Sequence, residues 1–166
     1  ASNLFDAMYQ YYDICWKERN INPQIRICQI ISQDVLPKLD NAIVKTSSSR
    51  LANEMLDLRK RYFALSARRN LKNFALYHEQ YKTNKVWAKT METVECIFYY
   101  MDIFDTSSVM NLLRASLMPS MGKSFIANLY VAQCLGNDPN DQILRVTYSD
   151  DLCVTTTAQT ESIINS

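Results

Sequence analysis

The sequence predicts an α/β fold, the start of a parallel sheet preceded by a large all-helical region, and three observations predict it. Residues 109–118 and 142–148 are short runs rich in apolar residues and bounded by loop signals, as buried strands are. Between them Gly122-Lys123-Ser124 opens a segment that reads as a helix. Upstream, from residue 3 to about 102, apolar residues recur at spacings of three and four.

The elements follow in order. Residues 3–19 place Leu4, Phe5, Met8, Tyr12 and Cys15 near helical spacing, with Asn3 available as a cap. Asn22-Pro23 reads as an N-cap followed by proline at the first helical position, opening a helix through Ile25, Ile27, Ile30 and Ile31 that Pro37 interrupts and that continues to about Val44. Polar residues 46–49 punctuate the chain. The domain reading is therefore a helical appendage over 1–46, a helical segment over 47–108 and the first part of a nucleotide-binding core over 109–166.

From Arg50 the pattern is helical again through Leu51, Met55, Leu58, Tyr62 and Leu65. Arg59, Lys60, Arg61, Arg68, Arg69 and Lys72 make this the most basic part of the chain, and such a run reads as a solvated helix face in preference to a nucleic-acid groove. Leu71, Phe74, Leu76 and Tyr77 continue the helical pattern, and Thr83 or Asn84 caps a further helix to about Asp102. Residues 104–108 are a loop. After the second strand, Ser149 is a capping hydroxyl and Asp150 and Asp151 suit a helix N-terminus, so a helix runs to about Ile164.

The chemistry concentrates in residues 111–135. Backbone N–H groups at a helix start point at an anion, the helix dipole favours negative charge there, and a lysine beside them adds a full positive charge. The following hydroxyl can ligate Mg²⁺. The chain has only two glycines, Gly122 and Gly136, and both flank this helix. Glycine is needed where φ is positive or a backbone approaches a ligand, so Gly122 fits the suspected loop, and Gly136 reads as the C′ cap of the same helix. This order of parts is the beginning of an incomplete P-loop NTPase core.

Composition narrows the function. The 166 residues carry a formal net charge of +1, so no global basic field drives nucleic-acid binding. No apolar run approaches the roughly 20 residues of a membrane span. Cys15, Cys28, Cys96, Cys134 and Cys153 are odd in number and scattered, and they read as reduced core thiols in a cytosolic compartment. The N-terminus lacks the order of a signal peptide. His78, the one histidine, argues against a Ser-His-Asp hydrolase or a histidine-rich metal site and reads as a half-buried or surface helical residue.

Four colinear stretches carry a resemblance: residues 68–77, RRNLKNFALY; the helix around 86–98, VWAKTMETVECIF; 112–125, LLRASLMPSMGKSF; and 143–152, ILRVTYSDDL. Together they resemble the large terminase subunit of tailed bacteriophages, the ATPase of the DNA-packaging motor. The resemblance covers roughly the C-terminal hundred residues; those before Thr46 carry no part of it. It implies Mg²⁺ and ATP as cofactors. Lys123 would contact the β- and γ-phosphates, Ser124 would ligate Mg²⁺, and the amides of Ser120, Met121, Gly122 and Phe125 would line the phosphate site. The resemblance also implies adenine contacts from residues just before the nucleotide fold, for which Gln80, Tyr81 or Trp87 would serve. Ser120 stands where the family commonly has an arginine, which leaves Arg114 and Arg145 as substitutes.

The resemblance also implies double-stranded viral DNA, a portal and a small terminase subunit as partners, the bacterial host's cytoplasm as compartment, and a nuclease domain beyond the ATPase. The acid pair that such an ATPase uses for Mg²⁺ and water is missing from the sequence, so hydrolysis by this chain is expected to be poor. Two strands cannot complete a parallel sheet, and self-association through its exposed edge is expected. Two other readings stand beside this one: a mainly helical interaction module with an accidental GKS, and a different P-loop translocase.

Overall fold

Helix α1, Ser2–Lys17, presents Phe5, Met8, Tyr12 and Cys15 along one side, and of these Phe5, Tyr12 and Cys15 are buried. It ends in a tight reversal. Arg19 takes a left-handed conformation at φ 55°, and the Asn20 N–H reaches back to the Cys15 carbonyl at 2.8 Å. This is the six-to-one closure of a helix C-terminus, with arginine where glycine is usual. The computed structural model describes residues 2–79, 86–107, 109, 112–116 and 122–165.

Helix α2, Ile21–Ile30, starts one residue before the expected Asn22 cap, with Asn20 at the cap position. Asn20 makes no side-chain cap bond. The turn is held instead by buried Gln24, whose Nε2 donates to the carbonyls of Cys15 and Asn20 at 3.1 Å each. Pro37 does not break the chain's course, because a π-helical turn over Ile31–Val35 leads straight into α3, Leu36–Lys45. The Leu36 N–H bonds to the carbonyl of Ile31, five residues back. The wider turn accommodates the ring that a regular helix would press against the carbonyl four residues earlier.

Ser48 caps α4, Ser49–Ala67, accepting from the Leu51 N–H. Helix α4 packs against α1, α2 and α3. Phe5, Tyr12, Ile27, Cys28, Ile31, Leu36, Tyr62 and Leu65 form the core, with the Phe5 and Tyr62 rings edge to face at 5.0 Å. Ser32, Ser66 and Asn73 are linked in a hydrogen-bonded network in this unit. The two Nδ2 hydrogens of Asn73 go to the hydroxyls of Ser32 and Ser66 at 2.8 Å each. Those hydroxyls in turn donate to the carbonyls of Cys28 and Phe63.

The chain divides into two compact units, Ala1–Asn73 and Phe74–Ser166. Helix α5, Leu71–Glu79, carries the boundary, and its first turn belongs to the first unit. The second unit contains α6, Val86–Thr106; α7, Lys123–Asn137; and α8, Asp150–Ile164. Helices α7 and α8 pack on each other. Ser149 caps α8, and Thr155, Thr156, Thr157 and Thr160 donate their hydroxyls to carbonyls one turn back, which satisfies these groups within the helix.

The α/β expectation is overturned: among the described residues there is no strand and no sheet, and every regular element is a helix. Residues 112–116, within the first expected strand, have no regular structure, and Val109 and Leu112 are exposed. The second, 142–148, runs without ladder partners, with Leu144, Val146 and Tyr148 at 89%, 82% and 93% exposure. The residue types favour a strand, but strand stability comes from cross-strand pairs and burial on a face, and these side chains have neither. The sheet edge through which self-association was expected is accordingly not among the described elements. Gly136 is likewise no left-handed cap, because it lies inside the last turn of α7, which ends at Asn137 with Asp138 as its C-cap.

No helix among the described residues is long and apolar enough to cross a membrane.

Candidate phosphate-binding site

The site is built on the start of α7. Gly122 stands at its N-cap at φ 77°, ψ 11°, the left-handed region that a side chain disfavours. The first intrahelical bond runs from the Ile126 N–H to the Gly122 carbonyl at 2.9 Å. The N–H groups of a helix's first turn lie at the positive end of its dipole, and here that turn opens with Lys123 and Ser124.

Burial along this turn sorts the side chains. Lys123 and Ser124 are exposed, Phe125 is half-buried and Ile126 is buried. The helix start is therefore anchored by its third and fourth residues, which leaves lysine and hydroxyl on the open side. The Phe125 ring lies 6.4 Å from the ring of His78 on α5. His78 is half-buried on a helix, as its isolation in the sequence indicated.

One turn beyond Ser124, Asn128 is fully buried and acts as a polar hub. Its Nδ2 donates to Gln159 Oε1 on α8 at 2.7 Å, and its Oδ1 accepts from the Arg145 guanidinium. Arg145 thus ties the extended 142–148 segment to α7. Sequence reasoning missed Asn128; the signal present was an asparagine next to the apolar series Ile126, Leu129 and Ala132. Toward the other end of α7 the Tyr130 hydroxyl donates to Asp105 Oδ1 at 3.1 Å, and burial, with Cys134 and Asp105 nearby, pushes its pKa well up.

The remaining expected site residues are dispersed. Ser120 and Met121 lie outside the described residues, as do Gln80 and Tyr81. Trp87 is on α6, with its side chain outside the described set. Arg114 is exposed in the irregular 112–116 segment. No family model, curated protein or solved structure matches this chain.

The donor set tests the fit of Mg²⁺. Ser124 supplies one hydroxyl oxygen, and no cluster of three metal-capable side chains occurs among the described residues. Mg²⁺ takes an octahedral oxygen shell, commonly completed by substrate phosphates and water. Ser124 suits a metal delivered with a nucleotide better than one held by protein ligands alone.

Proposed function

We propose that this chain binds a Mg²⁺-nucleoside triphosphate at the N-terminus of α7, as the N-terminal portion of a DNA-packaging ATPase similar to the large terminase subunit. The observation that carries the reading is the left-handed Gly122 set directly before exposed Lys123 and Ser124. In this reading Lys123 neutralises the β- and γ-phosphates. The Ser124 hydroxyl joins the Mg²⁺ shell, and the first-turn amides, with those of Ser120, Met121, Gly122 and Phe125, face the phosphate oxygens. Gln80, Tyr81 and Trp87 are the candidates for the base.

In this reading the phosphate site is a helix terminus with a lysine and a hydroxyl, and among the described residues no sheet holds it. The activity proposed for the chain is binding; turnover needs an acidic group to set the metal and the attacking water. The partners in this reading are double-stranded viral DNA, the portal and the small terminase subunit, and the compartment is the cytoplasm of the bacterial host.

Titration of the chain with ATP in the presence of Mg²⁺, followed by calorimetry, tests the proposal. Saturable binding that weakens by more than about tenfold in Lys123→Ala, the loss of one charge-assisted contact, supports it. Equal binding by the variant, or none by the parent chain at millimolar ATP, ends it. A second reading, a helical interaction module, draws on the closed core of the first unit, in which the Gly-Lys-Ser segment takes no part. The same titration separates the two.

A further inference from the structure

Helix α1 is apolar on two sides. One row, Phe5, Met8, Tyr12 and Cys15, faces the core of the first unit. A second row, Leu4, Ala7, Tyr11 and Ile14, recurs at spacings of three, four and three, and Leu4, Tyr11 and Ile14 are 53%, 54% and 51% exposed. A helix that covers one core needs only the first row. Spacings that alternate between three and four are those of a seam that meets another helix.

The second row overlooks a groove. Ala7, Met8 and Tyr11 of α1 face Pro23, Arg26, Ile27 and Ile30 of α2 across a surface groove of about 380 Å³. The α2 residues again fall three and four apart, on one side of that helix. Single exposed apolar residues are ordinary on a protein surface; a continuous row beside an apolar groove is not. Arg26 is the one charged side chain in this lining. It is exposed, and no acid among the described residues pairs with it. The row on α1 closes at Glu18, one turn past Ile14 and outside the groove.

We infer that this face docks an amphipathic helix of another protein, with its apolar ridge between α1 and α2 and an acid on its flank opposite Arg26. A helix seated there takes its anchors at spacings of three, four and seven, which both rows supply. It also reaches the whole row, since Leu4 and Ile14 stand about 15 Å apart along α1. An acyl chain filling the groove would leave both of them open, because neither lines it. The acid is what Arg26 adds to an otherwise apolar contact: opposite charges at the edge of an interface fix partner choice and register. A second copy of this chain answers that requirement less well. Of the three acids in its first 30 residues, Asp6 already pairs with Arg61 and Asp13 with Lys17.

Two peptides of about 21 residues test the inference on the whole chain, each with leucine at the seam positions and differing only in flanking glutamates or lysines. Fluorescence anisotropy should show the glutamate peptide binding about threefold more tightly, and Arg26→Glu should reverse the order. That reversal is a readout that a merely structural Arg26 would not give. Leu4→Ser and Ile14→Ser should each weaken binding by about tenfold. Their circular dichroism and melting should stay as in the parent, because both side chains are half exposed already. Lys123→Ala should leave peptide binding unchanged, which separates this face from the nucleotide site. No binding at about 1 mM peptide, a peptide order that Arg26→Glu leaves as it was, serine variants that bind as the parent does, or a dimer of the chain in sedimentation that Ile14→Ser dissolves would each overturn it.

Discussion

The helical core of the first unit and the segments that flank α7 in the second treat their apolar residues in opposite ways. In the first, Tyr12, Ile31, Tyr62 and Leu65 are 2% exposed or less, and the buried amides and hydroxyls of Gln24, Ser66 and Asn73 are hydrogen-bonded. In the second, Val109, Leu112, Leu144, Val146 and Tyr148 lie open to solvent while Ile126 and Leu129, on the helix between them, are buried. Helical periodicity places each side chain through bonds within the segment itself. A strand's apolar residues are placed only when another strand is there to pair with.

Truncations at matched leucines break this comparison most sharply. Leu65→Ala, at 2% exposure among core residues, should cost about 2–5 kcal/mol through lost transfer energy and the cavity left behind. Leu144→Ala, at 89% exposure, should change stability by less than about 0.5 kcal/mol. Urea melts followed by far-ultraviolet circular dichroism measure both. A cost at Leu144 approaching that at Leu65 would mean that the 142–148 segment is covered in solution.

A tyrosine extends the test to pH. Tyr12 is fully buried in the first unit, with no hydrogen-bond partner for its hydroxyl. Burial foremost, then Cys28, push its pKa up to about 12, with the Arg69 and Arg68 charges partly offsetting. Because the folded pKa lies above the unfolded value near 10, the stabilising term is complete below about pH 10 and is lost as pH rises through about 12. The loss should be on the order of 2 kcal/mol, and Tyr12→Phe should flatten the first unit's stability across that window while changing little at neutral pH. An unchanged alkaline limb in Tyr12→Phe would place the effect elsewhere, with Tyr62, also shifted up by burial, next in line.

How far the sequence was legible follows the same division. The helix over 3–19, the break at 46–49, the capping Ser149 and the helix to Ile164 were readable because caps and apolar spacing act within a few residues. The course past Pro37 was not, since the π-helical turn that carries it depends on the strain proline imposes on a helix already packed through Ile31 and Leu36. The strands failed because β-branched residues describe a preference that only tertiary partners can realise. At the candidate site the sequence indicated Gly122, Lys123 and Ser124, whose roles are local to one helix start. It did not indicate Asn128, whose importance comes from Arg145 and Gln159, 17 and 31 residues away.

The smallest expected effect concerns backbone strain, which the two units again treat differently. At the start of α7 the left-handed position is filled by Gly122; at the end of α1 it is filled by Arg19 at φ 55°. An L-residue in this region costs about 1 kcal/mol from the clash of Cβ with the following carbonyl, and glycine avoids it. The Arg19 N–H still bonds to the Trp16 carbonyl at 3.0 Å, and the Asn20 N–H closes on Cys15. The reversal is therefore maintained by backbone bonds, reinforced by Gln24, against the strain of its own central residue. Arg19→Gly keeps those bonds and removes the strain, and the greater freedom of glycine in the unfolded chain offsets part of the gain. The net stabilisation should be about 0.5 kcal/mol, a rise of a degree or two in Tm for a chain of this size. Differential scanning calorimetry reads it, and a fall in Tm would show that the Arg19 side chain contributes more at this corner than its backbone conformation costs.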